Sequence, residues 1–287
     1  MAIADISLTE GMRRNLVNMQ GTTALLARTQ DRLSTGKRVN TALDDPTNFF
    51  AAQGHMQRAG DLAARKDAML EAIQTAKASD AAITAISSLI DQAKSVATSA
   101  LASTDTATRA SYGSQWNTLM SQVVKLAQDS GYKGVNLLSD STLNVKFNES
   151  GSSSIDVNGF QATTLQYLSL NFINGTTTAG TGSVGSIGSW TVSNNDALNT
   201  AIAMINTATD NLRSQSKALA TNLNIVTVRN DFTKNMIDTL KAGADNLTLA
   251  DMNEEGANML MLQTRQSLGT TSLSLASQAA QSILRLF

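Results

Sequence analysis

The sequence predicts a mainly α fold, with long coiled-coil helices toward both ends of the chain and a small β-hairpin region in the middle. Three observations carry this reading. Apolar residues recur at alternating steps of four and three through the outer parts of the chain. A single proline, Pro46, stands among 287 residues, so long helices run without a breaker. Between 139 and 194 that periodicity gives way to a stretch rich in Ser, Thr, Gly and Asn, with few charges.

The first helix is signalled by Met12, Leu16, Met19, Thr23, Leu26, Gln30 and Leu33, whose spacing puts them on one face, the seam of a coiled coil. Ser7 and Glu10 have capping-box spacing before it, and Ser34-Thr35-Gly36 is a helix stop. Asp44-Asp45-Pro46 then places an acidic cap before a proline at the first helical position. The second helix carries a seam at Met69, Ile73 and Ala76, followed by Ile83, Ile86, Ile90, Ala93 and Ala97. Residues 102–107 break it, and a third helix with Tyr112, Trp116, Leu119, Val123 and Leu126 ends at Gly131.

Leu143, Val145 and Phe147 alternate, Glu149-Ser150-Gly151 suits a turn, and Ile155 and Val157 alternate again, which predicts a β-hairpin. Residues 174–189 read as a surface loop. Helix returns near Asn195. Its seam is Leu198, Ile202, Ile205, Thr209, Leu212, Ser216, Leu219, Leu223, Val226, Asn230, Thr233, Ile237 and Leu240. At ~1.5 Å per residue that helix is roughly 65 Å long. Residues 243–250 form a break, and Asp251 with Glu254 offers another cap. From 256 to 287 the charges are Arg265 and Arg285 alone, and Leu260, Leu262, Leu268, Leu275, Ile283 and Leu286 spread around the helix. A helix apolar on several sides is covered on several sides.

Composition points the same way. Charged residues make up 16%, against roughly 25% in a typical soluble domain. Such a shortfall in a helical chain predicts that other copies bury faces left bare in one. Each terminal helix, alone or as a lone pair, is marginal in water, so both ends are expected to be disordered in the free chain and to fold on association. The absence of cysteine removes disulfides and thiol chemistry. A net charge of −1 argues against nucleic acid as a partner. The N-terminus has no apolar signal-peptide core, and no stretch approaches the ~18 apolar residues of a membrane span, so by these signals the chain stays in the cytoplasm unless another export route handles it.

The motifs of catalysis dissolve on inspection. Gly180 to Gly185 satisfies G-x-G-x-x-G, but its flanks are Thr/Gly repeats and not a strand and a helix. His55 is the one histidine, so no zinc set and no nucleophile–base pair can be assembled. Asp44 and Asp45 are explained by capping, and Glu254-Glu255 by an acidic helix start. Arg32, Lys37 and Arg38 form a basic cluster at a turn, read as pairing with acidic groups of neighbouring subunits. The methionines, Met12, Met19, Met56, Met69, Met236, Met259 and Met261 among them, suit adaptable packing. No enzyme activity, cofactor or metal is expected.

Residues 32–45 (RLSTGKRVNTALDD) resemble the RLSSGxRIxxAxDD signature of bacterial flagellins, in a form similar to the alphaproteobacterial type. Gly131 to Leu138 (GYKGVNLL) resembles the element that closes the N-terminal helical region of that family. Asn258, Gln263, Gln266, Gly269, Gln278 and the final ILRLF resemble the flagellin C-terminal signature. The resemblance implies a long antiparallel helical coiled-coil bundle built from both chain ends. Residues 1–43 would pair with 252–287 as an inner layer, 44–138 and 195–245 would form the next layer as a rod, and 139–194 would be the variable segment. It further implies a structural subunit that polymerises with itself into the flagellar filament, a helical propeller for swimming. Leu16, Leu26, Leu33, Leu268, Leu275, Ile283 and Leu286 are the expected polymerisation residues. Export by the flagellar type III route is implied, with an export chaperone, a filament cap and hook-associated junction proteins as partners, and neither nucleic acid nor membrane. The region that Toll-like receptors read in many flagellins stands here as residues 89–94 (LIDQAK), without the pattern's arginines, which implies escape from that recognition. A hook–filament junction protein is the alternative within the flagellum. A soluble coiled-coil signalling rod is the alternative outside it.

Overall fold

The computed structural model of the chain describes residues 10–163, Trp190 and residues 195–284. In chain order its elements are α1 (Glu10–Thr35), α2 (Pro46–Ala102), α3 (Thr106–Asp129), β1 (Thr142–Lys146), β2 (Ser154–Asn158), α4 (Asn195–Thr248) and α5 (Met252–Leu284). They form two compact units, one of Met1–Ala59 with Asp238–Phe287 and one of Gly60–Ile237. Ser7, the loop 174–189 and the glycine motif from Gly180 lie outside the described residues.

Helix ends fall where side chains or glycine can satisfy orphan backbone groups. α1 stops at Gly36, whose φ of 70° suits a residue without Cβ and whose N–H donates to the Arg32 carbonyl at 2.8 Å. The Asp45 carboxylate accepts the Asn48 N–H at 3.0 Å ahead of α2. Asp105 caps α3, accepting the Thr108 N–H at 2.8 Å and its hydroxyl at 2.6 Å. Asp251 caps α5 through the N–H groups of Asn253 and Glu254. α4 does not break at 243 as expected but runs to Thr248, a helix of 54 residues. Gly243 is tolerated inside it because Ala244 and Leu240 beside it are buried, and packing outweighs propensity.

In the second unit α2 and α4 run antiparallel. The Lys66 carbonyl accepts from Asn230, Asp80 from the Ser216 hydroxyl, and Asn206 from Lys94, so partners descend along α4 as they ascend α2. Every expected seam residue of α2 from Met69 to Ala97 is buried, and every expected seam residue of α4 is buried or half-buried. α3 closes the core with Trp116, Met120 and Val123, while Tyr112, Leu119 and Leu126 sit half-buried at its edge. Trp116 and Trp190 pack with ring centroids 5.7 Å apart. Arg109 is also buried: its guanidinium donates to the carbonyls of Leu101 and Ser103 at the end of α2 and to the Asn195 side chain at the start of α4. A cation there meets the negative end of the helix.

β1 and β2 pair antiparallel as the expected hairpin, with Leu143 opposite Val157 and Val145 opposite Ile155. Gly159, just past β2, is fixed by space: a Cβ there would lie 2.5 Å from the carbonyl oxygens of Leu137 and Ser141. Phe147 carries the Arg229 guanidinium 5.1 Å above its ring, tying the hairpin to α4. Throughout the helices, Ser and Thr hydroxyls donate to the carbonyl one turn back, as Thr22, Thr23, Thr264 and Thr271 do.

Candidate functional site

α1 and α5 pack along one another. Asn15 donates to the Ser272 hydroxyl at 3.0 Å, Met19 lies against Gly269, and Arg32 pairs with Glu255 at 2.8 Å, so the helices are antiparallel. A Cβ on Gly269 would come within 3.0 Å of Met19 Cγ, and glycine lets the helices close at that level. Arg32, expected to reach a neighbouring subunit, is instead engaged within its own chain. Glu255, expected as a mere helix start, is its buried partner, with 8% of the side chain exposed.

The face of α5 turned to α1 reads Glu255, Met259, Leu262, Gln266, Gly269, Leu273 and Ala276, an unbroken four-three alternation of covered positions. On α1 the covered positions are Met12, Asn15, Met19, Thr22, Leu26, Thr29 and Leu33. The expected seam shares every seventh residue with this one but chose Leu16, Thr23 and Gln30 between them, and those three are exposed. A three-four and a four-three alternation starting from Met12 differ by one residue at alternate steps. Hydrophobicity favoured Leu16, whereas the pair is matched through hydrogen bonds at Asn15 and a buried Thr29.

The apolar residues left over face outward. Leu16, Val17 and Leu25 on α1 and Leu260, Met261, Leu268 and Leu275 on α5 are all exposed. Met261, Leu268 and Leu275 recur at seven-residue steps and form one stripe. Of the expected polymerisation residues, Leu16, Leu268 and Leu275 therefore lie open, while Leu26 and Leu33 are half-buried on the side turned to α5. Ile283 falls within α5 with its side chain outside the described set, and Leu286 lies outside the described residues. An open groove of about 620 Å³ between the two helices is lined by Val17, Leu25, Leu268 and Gly269, with Arg265 also on its wall.

Sequence reasoning missed other exposed apolar groups. Leu43 stands in the turn before α2, Phe50 stands on the first turns of α2, and Ile225, Val228 and Phe232 share a face of α4 off its seam. A heptad count finds the covered stripe of a helix, and a second stripe elsewhere on it adds only noise to that count. The turn itself is tightly held. The N–H groups of Arg38 and Val39 donate to the Thr248 carbonyl, Val39 is buried, and the Asp44 carboxylate accepts the N–H groups of Asn40 and Thr41. Those bonds, Thr41 first and Asn40 next, hold the Asp44 carboxyl below the usual carboxylate range.

His55 is half-buried beside Gly243. Among the described residues no three His, Cys, Asp or Glu side chains gather as metal ligands, and no helix is long and apolar enough to cross a membrane.

The two ends that build this pair lie largely within the parts that family models match. Residues 8–142 match the family model of the bacterial flagellin N-terminal helical region, and residues 202–287 match that of the bacterial flagellin C-terminal helical region. The chain is similar to flagellin FljK of Caulobacter vibrioides, 30% identical over 290 residues and covering all of both chains. Flagellin FljM of the same organism is 29% identical over 288 residues, again over the full length of both. A flagellin of Brucella melitensis is 26% identical over 278 residues, 95% of each chain. With helices at both ends that match the family and relatives aligned from end to end, the chain belongs to the bacterial flagellins, structural proteins of the flagellar filament.

Proposed function

We propose that the chain is a subunit of the filament itself, polymerising through α1 and α5 into the inner layer of a helical propeller for swimming. The observation that carries this reading is the outward apolar stripe of α5, Met261, Leu268 and Leu275, on a helix nearly free of charge. Leucines so exposed at regular steps on a structural protein call for a partner surface, and a homopolymer supplies one from every copy. The matching faces of the pair are themselves half polar, at Asn15, Thr22, Thr29 and Gln266, so an isolated pair has a thin apolar seam. That supports the view that both ends order only as copies associate. A chain that polymerises outside the cell fits export through the flagellar type III route. An export chaperone would cover the C-terminal helix before assembly, and a cap and hook-associated junction proteins would bound the filament.

Electron microscopy of the purified chain after seeding, beside a form lacking residues 256–287, tests the proposal. Long filaments from the intact chain alone are expected. Short collars or small soluble oligomers from the intact chain would replace this reading with the junction protein or the signalling rod.

A further inference from the structure

Leu43 is 96% exposed, the most exposed of the large hydrophobic residues described. It is not on a loose loop. Asp44 beside it grips the Asn40 and Thr41 N–H groups at 3.1 and 2.9 Å, the Asp44 N–H donates to the Thr41 carbonyl at 3.1 Å, and Val39 anchors the base of the turn in the unit's interior. Once the turn is formed, the side chain is thus presented in a fixed place. Ala42 precedes it and Asp44 follows it, so an acidic group stands directly beside the leucine.

The same unit offers the complement at another place. The groove between α1 and α5 is wide enough for a leucine side chain, and the exposed Val17, Leu25 and Leu268 line it beside Asn18, Thr22 and Ser272. Arg265 stands among them and makes no ion pair among the described residues. Leu43 does not fill this groove in its own chain, since almost all of its surface is free. A leucine knob beside an anion and a groove with aliphatic and polar walls beside a cation, at different places on one molecule, mate head to tail, and such heterologous contacts propagate instead of closing into a dimer.

We propose that Leu43 of one subunit seats in the α1–α5 groove of a second copy, with Asp44 meeting Arg265, as a specific contact of the polymer. The proposal rests on the filament reading above. It adds a knob at the turn to the leucine stripes, and it fixes which surface faces which.

The chain has no cysteine, so engineered cysteines report this contact cleanly. Leu43→Cys and Leu268→Cys chains are polymerised separately and as an equal mixture, treated with a mild thiol oxidant, and run on non-reducing gels. Disulfide dimers from the mixture, at least fivefold above either chain alone, are expected, and a chain carrying both substitutions should give a ladder of multimers. In parallel, Leu43→Asp should raise the critical concentration for assembly at least tenfold. It should leave the helix content of the free chain unchanged, because the position touches little of its own chain. Normal assembly of Leu43→Asp, or mixed filaments without dimers, would overturn the knob while leaving the filament reading intact. Failure of the unsubstituted chain to polymerise at all would instead remove the filament reading, and the knob with it.

Discussion

Arg32 and Glu255 show how a single pair can carry an interface. The carboxylate is buried between α1 and α5 and has the guanidinium as its ion-pair partner, so Arg32→Ala strands a charge instead of merely deleting a contact. The expected loss is about 1.5–3 kcal/mol. It is read by hydrogen exchange of α1 in assembled filaments, with a double-mutant cycle separating the pair's coupling from the cost of each truncation. Asp105 makes a pH-dependent contribution. The Thr108 hydroxyl and N–H hold its carboxyl below the usual range, so the folded state binds that proton less readily than the unfolded chain does. Its stabilisation is complete above the unfolded value of about 3.9 and is lost as pH falls through the lower folded value. The melting temperatures of the native chain and Asp105→Ala should therefore differ by a constant amount above about pH 5 and converge below about pH 4. Caps such as Asp45, Asp251 and Gly36 were legible because their chemistry is local. Arg109 was not. A charged residue in a helix reads as solvated, and only the fold brings the carbonyls of Leu101 and Ser103 to it.

At the scale of elements, the long seams of α2 and α4 were readable because each helix turns one face to the second unit's core over many turns, Met69 to Ala100 on one and Leu198 to Val226 on the other. Those seams carry most of the second unit's stability. Ile90 is fully buried, so Ile90→Ala should destabilise that unit by about 2–5 kcal/mol, depending on how far its neighbours collapse into the space. Chemical denaturation followed by tryptophan fluorescence measures it, since Trp116 and Trp190 both lie in that core. The hairpin was equally plain from its alternation. Reading failed where two helices meet through mixed chemistry. On α1 the leucine that best fitted a seam, Leu16, faces away, and an asparagine bonded to Ser272 takes the inward place. The end of α4 was misplaced for a related reason: glycine is a local signal, and buried neighbours override it.

For the whole molecule, the division into two units predicts separable failures. Leu275 is 62% exposed and lies in the terminal unit, so Leu275→Asp should abolish filaments while the tryptophan emission and denaturation midpoint of the other unit stay unchanged. Assembly of that variant at the native concentration would show that the α5 stripe faces solvent in the polymer. Which class of protein this is was legible from its ends, because the motifs there are long and ordered along the chain; which leucines remain open was not, because openness is decided by what the partner helix leaves uncovered. The hydroxyls of α1 and α5 add a last consequence. Thr22, Thr23, Thr264 and Thr271 already give their protons to their own helix, and charges are absent between Asn15 and Ala27 and sparse along α5, so these faces hold hydration water weakly. Bringing two of them together sheds that water without stranding a donor. A polymer joined this way should tighten on warming from the cold and in sulfate, and respond little to chloride that only screens charge.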